Sequence, residues 1–179
     1  LTYSFKQQSD GAYAVWYDGA KLISKVAADS LSFIDYKATN FYASWVCLQS
    51  INELSGFTVK TADKDYSFGI VYDDSEDAEE TYVITYNGKK LVASDFQSFY
   101  QECISLACSD YTVDKINAAP DMTFVFTYSD TSRAATSVEF KKASETKYQY
   151  SIDGIDMGKI NSSALNKILK QVQKLTAEK

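Results

Sequence analysis

Histidine is absent from the 179 residues, arginine occurs once (Arg133), proline once (Pro120) and cysteine three times. Each shortage excludes something. Without histidine there is no Ser-His-Asp or Cys-His nucleophile, no imidazole general base and no histidine-held zinc. A single arginine and a net charge of −6 argue against nucleic acid as a partner, because phosphate binding needs clustered Lys and Arg. No apolar run approaches the roughly 20 residues of a membrane-spanning helix. Neither G-x-x-x-x-G-K-[ST] nor G-x-G-x-x-G occurs, so no nucleotide cofactor is expected. Three cysteines leave one thiol over whatever pairs. Cys103 and Cys108 fall on one predicted helix and cannot bridge without unwinding it. Cys47 could join either in an oxidising compartment; otherwise all three serve as small buried hydrophobes.

What remains is apolar and aromatic. Hydrophobic residues make up 45% of the chain and aromatic ones 15%, enough for a normal core. Tyrosine is the commonest aromatic, and it suits half-buried sheet faces and binding surfaces alike.

The stretch from Thr81 to Cys108, TYVITYNGKKLVASDFQSFYQECISLAC, reads as strand, turn, strand and helix. Tyr82, Ile84 and Tyr86 alternate with Val83 and Thr85, the period of a strand with one buried face. Asn87-Gly88 tolerates the positive φ of a type I′ turn, and Leu91 and Val92 sit on the return strand. Ser94 and Gln97 have the spacing of a capping box. Phe96, Phe99, Tyr100, Cys103 and Ala107 recur at helical spacing.

Similar stretches lie at both ends, YAVWYDGAKLIS from Tyr13 and YQYSIDGIDMGK from Tyr148. Each has an aromatic five residues before the turn Asp or Asn, then Asp-Gly or Asn-Gly, then a large apolar residue three past the glycine (Leu22, Leu91, Met157). The expectation is an α+β fold of mainly antiparallel β-hairpins, each followed by an α-helix, in three related ββα-type units. Their expected bounds are 1–43, 44–112 and 113–179.

Between these units the pattern predicts a short helix over 27–35, a connector over 35–40, a strand over 44–48 and one helical turn over 50–55 with Ser50 and Glu53 spaced as a cap. A hairpin follows over 57–72. The loop from Asp73 to Glu80 has six acidic groups in eight positions. It lacks the spaced ligands of an EF-hand and reads as a self-repelling solvated loop, so no metal site is expected. Residues 109–122 are irregular and mark a lobe boundary. Another hairpin is expected from Thr123 to Lys141, and the last helix over Ser162–Leu175, capped by Asn161 or Ser162, with Leu165, Ile168, Leu169 and Val172 inward and Lys167, Lys170 and Lys174 outward.

No arrangement of residues demands chemistry, and no catalytic residue is assigned. Paired carboxylates, the one device that works without histidine, would serve a glycoside hydrolase; the acids here sit mostly in loops and turns. Trp16 lies out of phase with Tyr13, Val15 and Tyr17, which makes Trp16, with its neighbour Tyr17, a candidate binding surface for a peptide or glycan. Gly69, mid-strand, suggests a bulge or a close backbone approach. Leu1 opens within a strand-like LTYSF, and an export signal or membrane anchor is expected upstream.

The run TYVITYNGKKLVASDFQSFYQECISL and the later TFVFTYSDT to KILKQVQ resemble a bacterial family known as domain of unknown function 4340. The likeness rests on Y-x-V/I-x-x-N-G-x-x-V/L before D-F-x-x-F-Y, then a strand pair, Y-x-x-x-x-D/N-G and a Lys-rich last helix, over roughly residues 45 to 175. The resemblance implies an extracytoplasmic domain tethered by an N-terminal membrane segment or lipid. It implies a protein partner in the cell envelope, in some members beside ABC-transporter components. It carries no catalytic residues. The function expected is therefore non-catalytic binding or scaffolding, with peptide or glycan recognition and a carboxylate hydrolase as alternatives.

Overall fold

A computed structural model describes residues 3–17, 24–27, 30 and 44–177. They fall into two units, Leu1–Tyr42 and Ala43–Lys179. The first holds a three-stranded antiparallel sheet of β1 (Tyr3–Gln7), β2 (Tyr13–Tyr17) and β3 (Ser24–Val26), in that order. Its β1–β2 connection turns through Gly11, whose φ of +82° favours glycine. The Lys25 ammonium pairs with the exposed Asp10 carboxylate and, with the Ala12 N–H, holds its pKa below the usual value. The Asp18-Gly19 turn and, apart from residues 27 and 30, the helix expected over 27–35 lie outside the described residues.

The second unit is an eight-stranded antiparallel sheet with two helices. Alternating apolar residues form β4 (Leu54–Thr61), β5 (Asp65–Tyr72) and β6 (Tyr82–Tyr86), and the two-residue β7 (Lys89–Lys90) follows the Asn87-Gly88 turn. After α1 (Ala93–Ile104) come β8 (Met122–Tyr128), β9 (Thr136–Lys142), β10 (Lys147–Ile152), β11 (Ile155–Asn161) and α2 (Ser162–Leu175). Asn87 and Asp153 take positive φ (49° each) with glycines behind them at 74° and 82°, as type I′ turns require.

Strand order is β11-β10-β9-β8-β4-β5-β6-β7, which reads the same outward from its centre. Each half is a meander of four consecutive strands followed by a helix, and the first strands of the halves, β4 and β8, pair antiparallel from Leu54↔Tyr128 to Thr61↔Met122. The repetition among the described residues is thus a four-strand-plus-helix half used twice. Three ββα units are not what the described residues show, because the strands of 54–72 and 122–142 join the hairpins rather than standing between them. Segments on both sides of 109–122 supply strands to this one sheet.

One sheet face carries the core. Phe57, Phe68, Phe124, Phe126, Phe140, Ile70, Ile84 and Ile160 point to the side where α1 places Phe96, Phe99, Tyr100 and Cys103 and α2 places Leu165, Ile168 and Val172. The helices also pack on each other, with Lys167 Nζ 2.7 Å from Glu102 Oε2. On the opposite face Thr58, Ser67, Gly69, Thr85, Thr123 and Val125 lie in rows across the strands, with Lys60 and Glu139 beside Thr123.

Several local expectations are corrected. Residues 44–48 contribute only a bridge, Trp45 to Ala107, because Val46 and Cys108 donate to Leu106 and Ser44 and the pairing goes no further. The helical turn over 50–55 is a single 3-10 turn, Ile51–Glu53, and the Ser50 side chain caps nothing. Ser94 lies inside α1, whose N-cap is Val92; Leu91 makes the last hairpin bond, to Ile84 O, and the Val92 carbonyl then accepts from Asp95 and Phe96, so the helix starts before the serine. Neither Val92 nor Asn161 makes a side-chain cap bond. Because α1 stops at Ile104, Cys103 and Cys108 do not share a helix, and all three cysteines are free. Gly69 marks a close approach: a Cβ there would lie 2.6 Å from Thr85 Oγ1.

Both sheet edges are guarded. At one end β7 is short and is two lysines, a composition that discourages further pairing. At the other, Asp110 bridges to Lys159 on β11, and the chain beyond lies over Gln149 and Lys159. The buried Gln149 amide imitates a strand neighbour: its Oε1 accepts from Asp114 N–H at 2.6 Å and its Nε2 donates to Asp114 O at 3.0 Å. Lys159, also buried, reaches Asp114 Oδ2 at 2.8 Å and Thr112 Oγ1 at 3.0 Å.

Candidate functional site

Where α1 begins, α2 ends and the β6–β7 hairpin turns, the second unit leaves an open cleft of about 900 Å³. Its apolar wall is made of Tyr66, Tyr86 and Phe99, all largely buried by the core behind them, with Leu91 and Leu175 at the sides. Lysines surround it. Lys64 comes from the β4–β5 turn, Lys89 and Lys90 from β7, and Lys174 from the last turn of α2. The Lys64 ammonium lies 5.0 Å from the Tyr66 ring centre and 5.9 Å from that of Tyr86, within cation–π range. Lys90 is bound to Glu80 at 2.6 Å. Gln171 Oε1, on α2, is buried and has no hydrogen-bond partner.

The arrangement is suited to holding a ligand. Asp95 is the only carboxylate in the lining, whereas a carboxylate-pair hydrolase needs two acids facing each other across about 5–10 Å. Among the described residues no group of three or more His, Cys, Asp or Glu side chains could hold a metal ion.

Trp16 and Tyr17 belong to the first unit. Trp16 is half-buried on β2 opposite Ser4, and Tyr17 ends that strand opposite Tyr3. The cleft is lined by the second unit alone.

No family model, curated protein or solved structure matches the chain. The site is therefore read from its own geometry. Sequence reasoning missed it because its four lysines come from three separate elements. The one legible hint, Lys-Lys directly after the Asn-Gly turn, is ordinary for a short edge strand.

A second polar cluster has a structural use. Arg133 stacks on the Tyr128 ring at 3.6 Å and donates to Glu53 Oε2 (2.7 Å) and Gln49 Oε1 (3.2 Å). Tyr128 Oη donates to the same Gln49 oxygen, and Tyr100 Oη to the Gln49 carbonyl. The sole arginine thus ties the β8–β9 loop and residues 49–53 to the core.

Burial pushes the Tyr100 phenol and the Cys103 thiol up, and the Tyr150 phenol likewise, with help from a hydrogen bond to Cys108. In the unfolded chain these groups ionise near about pH 8.5 (thiol) and about 10 (phenol). Below those values both states hold the protons and stability is complete. Above them the unfolded chain releases protons that the folded one keeps, so stability falls as pH rises. Urea midpoints should accordingly hold steady between roughly pH 6 and pH 8 and decline through about pH 11; a flat profile across the alkaline range would contradict it.

Proposed function

We propose that this chain is a non-catalytic binding module of a bacterial cell-envelope assembly, and that the lysine-rimmed cleft is where it meets its partner. The observation that carries the reading is the cleft itself, a concave aromatic floor ringed by cations with one acid, which supplies adhesion and specificity without an acid–base pair. Such a concavity is the default candidate for a binding site. The envelope setting rests on the resemblance over roughly residues 45 to 175 to domain of unknown function 4340. On that reading the domain works outside the cytoplasm, tethered by an anchor, as a scaffold beside a membrane transporter.

Photo-crosslinking in the native host tests this. A photoreactive phenylalanine at Val92, exposed at the cleft mouth, should give a discrete adduct with an envelope protein. The same group at Ser67, on the open sheet face, should not. Equal adducts from both positions, or adducts with cytosolic proteins alone, would overturn the proposal.

A further inference from the structure

The ligand class can be taken one step further, on the reading of the cleft as the binding site. We propose that it takes an acidic peptide segment carrying a bulky apolar side chain. Charge gives the first part. In a chain of net charge −6, four lysines converge on one concavity; Glu80 offsets Lys90 at the rim, which leaves Lys64, Lys89 and Lys174 against the carboxylate of Asp95, so the local field attracts anions that the rest of the surface repels. The chain already shows the contact at the rim, where the Glu80 carboxylate, at the end of the acidic loop, sits 2.6 Å from Lys90 Nζ.

Shape and hydrogen bonding give the second part. Tyr66, Tyr86 and Phe99 offer an apolar floor that a bare anion would not use, and a volume of about 900 Å³ is near the upper end of small-ligand pockets, room for a few peptide residues. Gln171 Oε1 is a buried acceptor without a donor, and unmade bonds of that kind are unfavourable. Gln171 lines the cleft, and turning its side chain toward the opening would let a peptide N–H satisfy that oxygen. The lysines are flexible point charges rather than planar forks, which suits carboxylates spaced along a chain.

The test is fluorescence anisotropy on the full chain with three labelled peptides of about eight residues: Glu-rich with a central Leu, Glu-rich with a central Ser, and Lys-rich with a central Leu. The first should bind, weakening as salt is raised. The second should bind several-fold more weakly and the third not at all. Lys89→Glu with Lys174→Glu should reduce affinity for the first at least about tenfold, a change of ~1.4 kcal/mol. Gln171→Leu should weaken it while leaving the salt dependence intact. Undiminished binding by the double variant, no binding by the unaltered chain, or full displacement by equimolar phosphate would each overturn the inference. Each of those results leaves the crosslinking pattern from Val92 as it was, so the two readings fail separately.

Discussion

Phe57→Ala should lower stability by ~3–5 kcal/mol, the usual range for deleting a fully buried aromatic ring. Phe57 is 1% exposed and lies on β4, where the two halves of the sheet join. Its ring centre is 5.0 Å from that of Phe126, 5.3 Å from Tyr100, 5.6 Å from Phe124 and 6.2 Å from Phe99. Those partners come from β8 and α1, so the ring fastens one half's first strand to the other half's first strand and to the helix over it. The surroundings cannot collapse into the space, since Phe57 is held in register with Phe68 on one side and Phe126 on the other. Val71→Ala removes apolar atoms from a side chain 60% exposed on the open face, and should stay within about 0.5 kcal/mol. Urea unfolding of the two variants measures the contrast. Equal losses would mean that the sheet's seam is not held by this cluster.

Local chemistry was legible where it was repeated and strongly periodic. The Tyr82–Tyr86 alternation, the Asn87-Gly88 and Asp153-Gly154 turns and the apolar stripe of α2 all have the expected form. In each, neighbours a few residues apart decide the outcome. The strand order could not be read that way. Leu54 pairs with Tyr128 and Thr61 with Met122, and nothing local in either strand names the other. The matching large residues three past each turn glycine were a misleading sign. Leu91 packs on the core whereas Met157 is 43% exposed, because the β10–β11 register shifts between Tyr150↔Gly158 and Ser151↔Asp156 and leaves Met157 as the extra residue of a β-bulge. The cleft was hidden for the same reason as the strand order: its wall and rim meet only once α1, α2 and the β6–β7 hairpin are docked. The Ser94 motif was present but idle, since the helix begins earlier.

Gly158→Ala is the second change with a large expected effect, and its sign separates contact from conformation. Gly158 does not have a left-handed φ, so alanine by backbone entropy alone would stabilise by ~0.4–1 kcal/mol. The added Cβ, however, would stand 2.7 Å from Asp110 O, 2.8 Å from Cys108 Sγ and 3.4 Å from Tyr111 Cα. Two of these three are backbone atoms of the segment fastened beside β11, where Ser109 N–H and Asp110 N–H donate to Lys159 O and Lys159 N–H returns a bond of 2.7 Å to Asp110 O. The segment must lift, and a loss of ~1–3 kcal/mol follows as in other overpacked sites. Gly69→Ala provides the comparison: its Cβ meets only Thr85 Oγ1, at 2.6 Å, which a χ1 change of that one side chain would move without shifting backbone, so the change should be milder. Adding Cys108→Ala to Gly158→Ala removes the sulfur contact but leaves both backbone contacts, and should restore only part of the loss. Hydrogen exchange supplies the local readout. In Gly158→Ala the amides of Asp110, Asp114 and Lys159 should exchange faster while those of β4 and β5 keep their ranking. Unchanged protection at Asp110 and Lys159 would show that the strand edge tolerates the methyl group and that the glycine is not needed for the chain to pass beside it.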